Sequence, residues 1–382
     1  MVIAALTVRL IDEWWSYLPG GVMENLRVDV GLSYAQAGSL ISIALLSGLV
    51  GGPLGMLADV FDRRLLAVVG SALQTLGLVM FAAGHSYWPL AFGVLLLGAA
   101  GDLVIGPLEA ALAESTSHEE LEHALGRQHL LSFVGDLLGP VTLAIGAATF
   151  VGWRGVFWIT AALLGLYTVF ISTVSYPPRH SAVTDERVPM KDLLRNRSVL
   201  KLVLLYVLLF PLDEPIAAFA VAAIAIDRPV IAQMIAVGYV VGGLGSSAIV
   251  DRQGLNASAR RFGGSSLVVG AFGVASVIAA FERGNVSAQM AGFLAALAMA
   301  VVGIGMGFVW ADLHHRELTV VPGRSASISA IVGTLGSVGA IWPLLGGWMA
   351  DQISITAPLL LFAGAALLLA GLMAARPNTA HN

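Results

Sequence analysis

The sequence contains no cysteine. Disulfides, thiolate metal sites and cysteine nucleophiles are therefore excluded, while compartment is left open. Charge is scarce too. Asp, Glu, Lys and Arg together supply 12% of the residues, about half the roughly 25% of a soluble domain. Lysine occurs only at Lys191 and Lys201, and no glycine-rich phosphate loop ends in one, so ATP hydrolysis by this chain is not expected. A net charge of −4 gives no basic footprint for nucleic acid. What is abundant is apolar: 57% of 382 residues, with a mean hydropathy of +0.85. A soluble enzyme, a nucleic-acid binder and a disordered chain are excluded. An integral membrane protein remains.

A membrane-crossing helix needs about 20 apolar residues, whereas barrel strands alternate over about 10. Here the apolar blocks are continuous, so the fold class is all-α. Twelve blocks are predicted, near 3–23, 34–57, 65–84, 88–113, 128–151, 154–175, 199–225, 230–249, 261–281, 287–311, 325–349 and 354–374. The first is not a cleaved signal peptide, because Arg9, Asp12 and Glu13 sit where an apolar core belongs. The longest polar stretch, 176–198, is basic. It divides the chain into a six-helix bundle over 1–175, a linker, and a six-helix bundle over 199–382. With the N-terminus inside, fifteen Lys and Arg fall on inner segments. Only Arg27, Arg154, Arg228 and Arg283 fall outside. The positive-inside rule then places both termini in the cytoplasm and the linker with them.

The halves echo one another. Asp12-Glu13 in the first span corresponds to Asp213-Glu214 in the seventh, and Pro140 in the fifth to Pro343 in the eleventh. Asp59 after the second span corresponds to Asp251-Arg252 after the eighth. Parallel duplication of a six-helix unit leaves such traces.

The loop after the second span reads Gly55-Met-Leu-Ala-Asp59-Val-Phe-Asp62-Arg63-Arg64. It resembles the major facilitator superfamily signature Gly-x-Leu-Ala-Asp-Arg-x-Gly-Arg-Arg, from which Val60 and Asp62 depart. Gly152-Trp153-Arg154 before the sixth span is also common in that family. The tract Gly31-Leu-Ser-Tyr-Ala-Gln-Ala-Gly38 looks like drug-efflux members, including the fosmidomycin-resistance group. The resemblance implies a twelve-helix secondary transporter of two pseudo-symmetric bundles. It implies that Gly55, Asp59, Arg63 and Arg64 help lock an inner gate. A short basic turn obeying the positive-inside rule is the alternative. In the fifth span, Gly126, Gly135, Gly139 and Pro140 fit the spacing of the family's antiporter signature, with Leu143 and Ala144 in place of its last glycines. That match favours export. Glycines at i and i+4 equally suit close helix packing.

Charges inside a membrane are costly and are functional hypotheses by default. At 1.5 Å per residue, Asp12 and Glu13 lie about 14–15 Å into the first span, Asp102 about 21 Å into the fourth, and Asp213 and Glu214 about 21–23 Å into the seventh. Asp136 is shallower, and Glu109 nearer the cytoplasm. In the family the first, fourth, seventh and tenth spans line the central cavity, so the resemblance implies a cavity rich in acid. A carboxylate removed from water holds a proton more tightly, and a carboxylate also pairs with a cationic substrate. Trp14, beside the acids, could add cation–π attraction or simply pack. Adjacent acids point about 100° apart, so one of Asp12 and Glu13 is expected to face the cavity and the other a neighbouring helix. Arg9 could neutralise either from three or four residues away. The fourth span offers no arginine near Asp102, so the family's usual coupling arginine has no counterpart there.

His118 and His123 lie about 140° apart on a helix, poor geometry for one metal ion, and read better as part of a solvated inner loop. No metal and no cofactor are expected. The expected partners are a small-molecule substrate, protons and the lipid bilayer, with the proton gradient as energy source and the chain a monomer. The reading is proton-coupled export of small, cationic or amphipathic organic molecules from the cytoplasm across the inner membrane. Nutrient uptake, divalent-metal export, lipid translocation and a receptor role on the same fold stay open.

Overall fold

The computed structural model describes residues 2–47, 49, 54, 61–115, 118–176, 195–253, 257–320 and 325–374. Among these, no strand occurs. The helices are α1 (Val2–Gly21), α2 (Met23–Val30), α3 (Tyr34–Leu46), α4 (Arg63–Ala83), α5 (Tyr87–Ser115), α6 (His118–Ala148), α7 (Gly152–Thr173), α8 (Arg197–Leu209) and α9 (Glu214–Ala225). There follow α10 (Pro229–Gln253), α11 (Ala257–Glu282), α12 (Ala288–Thr319), α13 (Ser325–Gly336), α14 (Ile341–Gln352) and α15 (Thr356–Ala374). Ten described spans are long and apolar enough to cross a membrane. Of the other two expected spans, α1 carries Arg9, Asp12 and Glu13, and α3 has 13 described residues.

Local chemistry sets several boundaries. The Asp62 carboxylate accepts the Leu65 N–H at 2.8 Å and starts α4. Asn196 caps α8 and Ser287 caps α12 in the same way. Each satisfies an N–H that has no partner inside its helix. Gly31 closes α2 at φ 77°, where a side chain would be strained.

The structure departs from sequence expectation at three places. The segment from 118 onward is not a loop, because α6 runs unbroken from His118 to Ala148. Its first half carries no proline and is rich in Glu, Leu, His and Ala, which favour or tolerate helix. The seventh span is broken: α8 ends at Leu209, a 3-10 turn covers Phe210–Leu212, and α9 starts at Glu214. Pro211 and Pro215 each lack the N–H that would continue the ladder. The carbonyl freed one turn before Pro211 is that of Val207, and the Trp342 indole N–H donates to it at 2.8 Å. The eleventh span is likewise split by a 3-10 turn over Ser337–Ala340.

Two compact units result. The first is Met1–Leu32 with Ser39–Pro189, and the second is Ser33–Gly38 with Met190–Asn382. In the first, α4 packs on α5 and α7, and α1 on α6; in the second, α11 packs on α12 and α15, and α10 on α12. Third against fourth and sixth is matched by ninth against tenth and twelfth, as duplication requires. Large apolar side chains face outward, among them Trp88, Leu166, Val269 and Phe293. Lipid rather than water suits that surface. Without a hydrophobic drive between helices, packing relies on small residues. In the second unit Gly238 and Gly242 of α10 lie against the backbone of Ala296 and Ala300 on α12, too close for any side chain.

Candidate functional site

The first unit gathers its intramembrane charges around α1. Arg9 donates from Nη2 to Glu109 Oε1 at 2.7 Å and from Nε to the same oxygen at 3.0 Å. The two side chains are 31% and 34% exposed, so the pair is only partly shielded. Arg9 therefore bonds neither of its helical neighbours by preference. It reaches from α1 to the C-terminal half of α5. The arginine of this ion pair stands on the first span and its carboxylate on the fourth.

Asp12 turns towards α4 and α5. The side-chain amide of Gln74, on α4, donates to it, and Asp102 and Glu109 lie within electrostatic reach. A Cβ built on Gly101 would stand 3.7 Å from Gln74 Nε2 and 3.8 Å from Asp12 Oδ1, which places both beside α5. Asp102, next along α5, interacts electrostatically with Arg9 and Glu109. Glu13 turns the other way: its Cβ lies over Gly135 of α6. The 100° separation of adjacent residues thus sends the two acids to different helices. Asp12, Glu13, Asp102 and Glu109 each interact electrostatically with the Arg9 guanidinium.

Gly135 and Gly139 sit where α6 crosses α1. A Cβ at Gly135 would meet the Leu10 carbonyl oxygen, and one at Gly139 would stand 2.8 Å from Tyr17 Cδ1. These glycines are needed for close approach. Asp136 follows Gly135 at that crossing and Pro140 is buried in it. Trp14 is buried, and its indole N–H donates to Thr142 of α6 at 3.0 Å. Packing against α6 accounts for this ring.

In the second unit, Asp213 lies at the break of the seventh span, and the Tyr239 hydroxyl of α10 donates to its Oδ1 at 2.6 Å. Glu214 opens α9, with its charge at a helix N-terminus, where it is stabilised. A further acid escaped the sequence reading as a site. Asp312 is fully buried, with Arg316 donating to Oδ2 at 2.8 Å and Arg260 Nε 2.8 Å from Oδ1. The i,i+4 spacing of Asp312 and Arg316 was the available signal.

Of the residues expected at a gate, Gly55 and Asp59 lie outside the described residues. Arg63 is buried in the first turn of α4, and Arg64 donates to the Ser172 carbonyl at the end of α7. Beside them, burial pushes the Tyr176 phenol up to about 12, against the opposing pull of Arg64, so it stays protonated at working pH. Among the described residues, no three His, Asp or Glu side chains are grouped to hold a metal ion.

The family profile of the Major Facilitator Superfamily matches residues 12–342. The tetracycline resistance protein, class C, of Escherichia coli is 30% identical over 175 residues, 44% of this chain and 43% of that protein. A triacylglyceride transporter of Mycolicibacterium hassiacum is 27% identical over 177 residues, 45% of this chain and 33% of that one. The chain spans less than half the length of the curated relatives it matches. The xylose transporter XylE of E. coli, in an inward open conformation, superposes with a TM-score of 0.76 over 97% of this chain and 94% of that one, at 15% identity. That likeness speaks for the fold alone. With helices long enough to span a membrane, this fold and a family profile covering most of its length, the chain belongs to the Major Facilitator Superfamily.

Proposed function

We propose that the protein is a proton-coupled exporter of small organic molecules, cationic or amphipathic, working by alternating access. It sits in the cell's inner membrane as a monomer with both termini in the cytoplasm, uses the proton gradient and needs no cofactor. The observation that carries this reading is the charge balance of the first unit. Asp12, Glu13, Asp102 and Glu109 all lie within electrostatic reach of Arg9. Carboxylates gathered within a membrane-spanning bundle favour added positive charge. Protons supply it in one state and a cationic substrate in the other. Competition for the same oxygens couples their movements. Arg9 acts as the internal cation that keeps Glu109 occupied, leaving Asp12 and Asp102 to exchange. Asp213 with Tyr239, at the helix break, is the corresponding group in the second unit. Arg63, Arg64, Gly55 and Asp59 form the inner gate. The likeness to a tetracycline resistance protein supports export.

A second reading, movement of an apolar lipid, is favoured by the likeness to a triacylglyceride transporter. Thermal-shift measurement separates the two. The purified protein is screened at two pH values against organic cations, organic anions, neutral drugs, sugars, divalent metals and lysolipids. A ligand that binds the folded state raises the melting temperature, and by more as its concentration exceeds its Kd. Export of cations predicts stabilisation by cations that weakens at low pH. Stabilisation by lysolipid or neutral compounds alone, unchanged by pH, contradicts it.

A further inference from the structure

Gln74 lies in the middle of α4 and is 3% exposed, at a position where an apolar side chain would cost less to bury. Gly70 and Gly77 stand one helical turn to either side of it. A Cβ at Gly70 would come within 2.8 Å of Leu103 Cβ, and one at Gly77 within 2.6 Å of the Gly93 carbonyl oxygen. So α4 and α5 touch on both sides of the amide. A polar side chain buried in such a seam is destabilising unless its groups are paired. The Gln74 amide finds its partners on two other helices. Its Nε2 donates to the Leu97 carbonyl of α5 at 3.5 Å, and the side chain donates to the Asp12 carboxylate of α1.

These acceptors fix what the amide can offer. A backbone carbonyl only accepts, so the NH₂ group of Gln74 faces Leu97, and the same group carries the second hydrogen to Asp12. Gly101, one turn beyond Leu97 on α5, leaves the room. A Cβ there would stand 3.7 Å from Gln74 Nε2 and 3.8 Å from Asp12 Oδ1, ordinary contact distances. A donor held this way distinguishes the two forms of Asp12, because an ionised oxygen is the stronger acceptor. The other groups acting on Asp12 are charged: Arg9 on its own helix, and Asp102 and Glu109 on α5. Glu13 turns instead to α6, where Asp136 follows Gly135. From α7, the Tyr167 hydroxyl donates to the Ala4 carbonyl, two helical turns before Asp12. Beyond Arg63 and Arg64 in its first turn, α4 carries no charge. Gln74 thus acts on Asp12 without bringing charge of its own.

We propose that Gln74 is a positioning residue for Asp12: it holds the carboxylate in the niche beside Gly101 and helps it release its proton. The use of that proton in transport rests on the proton-coupled reading. The hydrogen bond and its effect on Asp12 do not, and their test needs no substrate. A protonated carboxyl in apolar surroundings reacts with dicyclohexylcarbodiimide, and an ionised one does not. Full-length protein is treated with the reagent from about pH 4 to about pH 9, a range that spans the titration of shifted carboxyls. Fragment-ion mass spectrometry then counts the adduct at Asp12 apart from Glu13. Gln74→Met keeps the length of the side chain and removes the donor. Gly101→Ala is the control, because its Cβ fits without displacing the amide. Melting temperatures are measured alongside.

In Gln74→Met, labelling of Asp12 should persist to a pH about one unit higher than in the wild type. That is the tenfold change in proton affinity expected for losing one hydrogen bond to a charged group. Gly101→Ala should match the wild type. Gln74→Asn, whose amide falls a methylene short, should shift as Gln74→Met does, and it decides alone if Gln74→Met does not fold. Equal midpoints in the wild type and Gln74→Met, whatever the melting temperature, make Gln74 a packing residue and overturn the proposal. So does an equal shift in Gly101→Ala, which reports a general disturbance of the crossing. An Asp12 that never labels in either protein overturns it too, since Gln74 would then govern no proton. The functional reading fails on a different observation, full gradient-driven flux in Asp12→Asn, which would leave the labelling shift standing.

Discussion

Arg9 decides how the acids of the first unit are balanced. Its spacing to Asp12 and Glu13 was visible in the sequence, and so was a neutralising role. Its partner was not, since Glu109 lies 100 positions away on another helix. Spacing rules rank neighbours on one helix and are silent about which helix packs alongside. A double-mutant cycle checks the pair. Arg9→Met and Glu109→Gln should each lower thermal stability in detergent, and the double variant should lose less than their sum, with a coupling of about 1 kcal/mol for a partly exposed pair. Additive losses would separate the two residues. Tyr239→Phe should cost about 2 kcal/mol, because the Asp213 carboxylate loses a donor at 2.6 Å. An unchanged melting curve would remove Tyr239 as its positioning residue. That hydroxyl was not legible beforehand, because one tyrosine in an apolar span carries no signal of what it faces.

Helices were the most legible feature, because an apolar block of span length admits little else in a membrane. Their interruptions were read less well. Pro215 marked the seventh span as breakable, yet the 3-10 turn and the role of Trp342 depended on packing between α8 and α14. The run from 118 was misread because charge was taken for a loop where the residues favour helix. The glycines of the fifth span fitted both gating and close packing. Their position against Leu10 and Tyr17 establishes the close packing. Gly139→Val should therefore cost about 3 kcal/mol by overpacking. Gly371→Val, at a position with open space around its Cα on α15, should stay within about 0.5 kcal/mol. Thermal unfolding monitored by size-exclusion fluorescence compares them, and equal stability would contradict a tight α1–α6 crossing. Pro211→Ala restores an N–H for Val207, so Trp342→Phe should be better tolerated in that background than alone. Equal losses in both backgrounds would contradict that reading of the break.

A chain with 12% charge and 57% apolar residues announces a membrane protein, and its loop motif announces a family. Cargo is less legible, because it is chosen by side chains brought together from several helices. The sequence displayed the acids and Arg9, and not that Arg9 pairs with Glu109 on another helix. Proton coupling through Asp12 and Asp102 is the claim on which the functional reading stands, and one flux measurement tests it most directly. Protein reconstituted in liposomes is given ethidium, an organic cation, and an imposed pH gradient. The wild-type protein should move ethidium against protons, stop when the gradient is collapsed, and lose at least tenfold of its gradient-driven rate in Asp12→Asn and in Asp102→Asn. The same flux with and without the gradient, or a full rate in both variants, would contradict it.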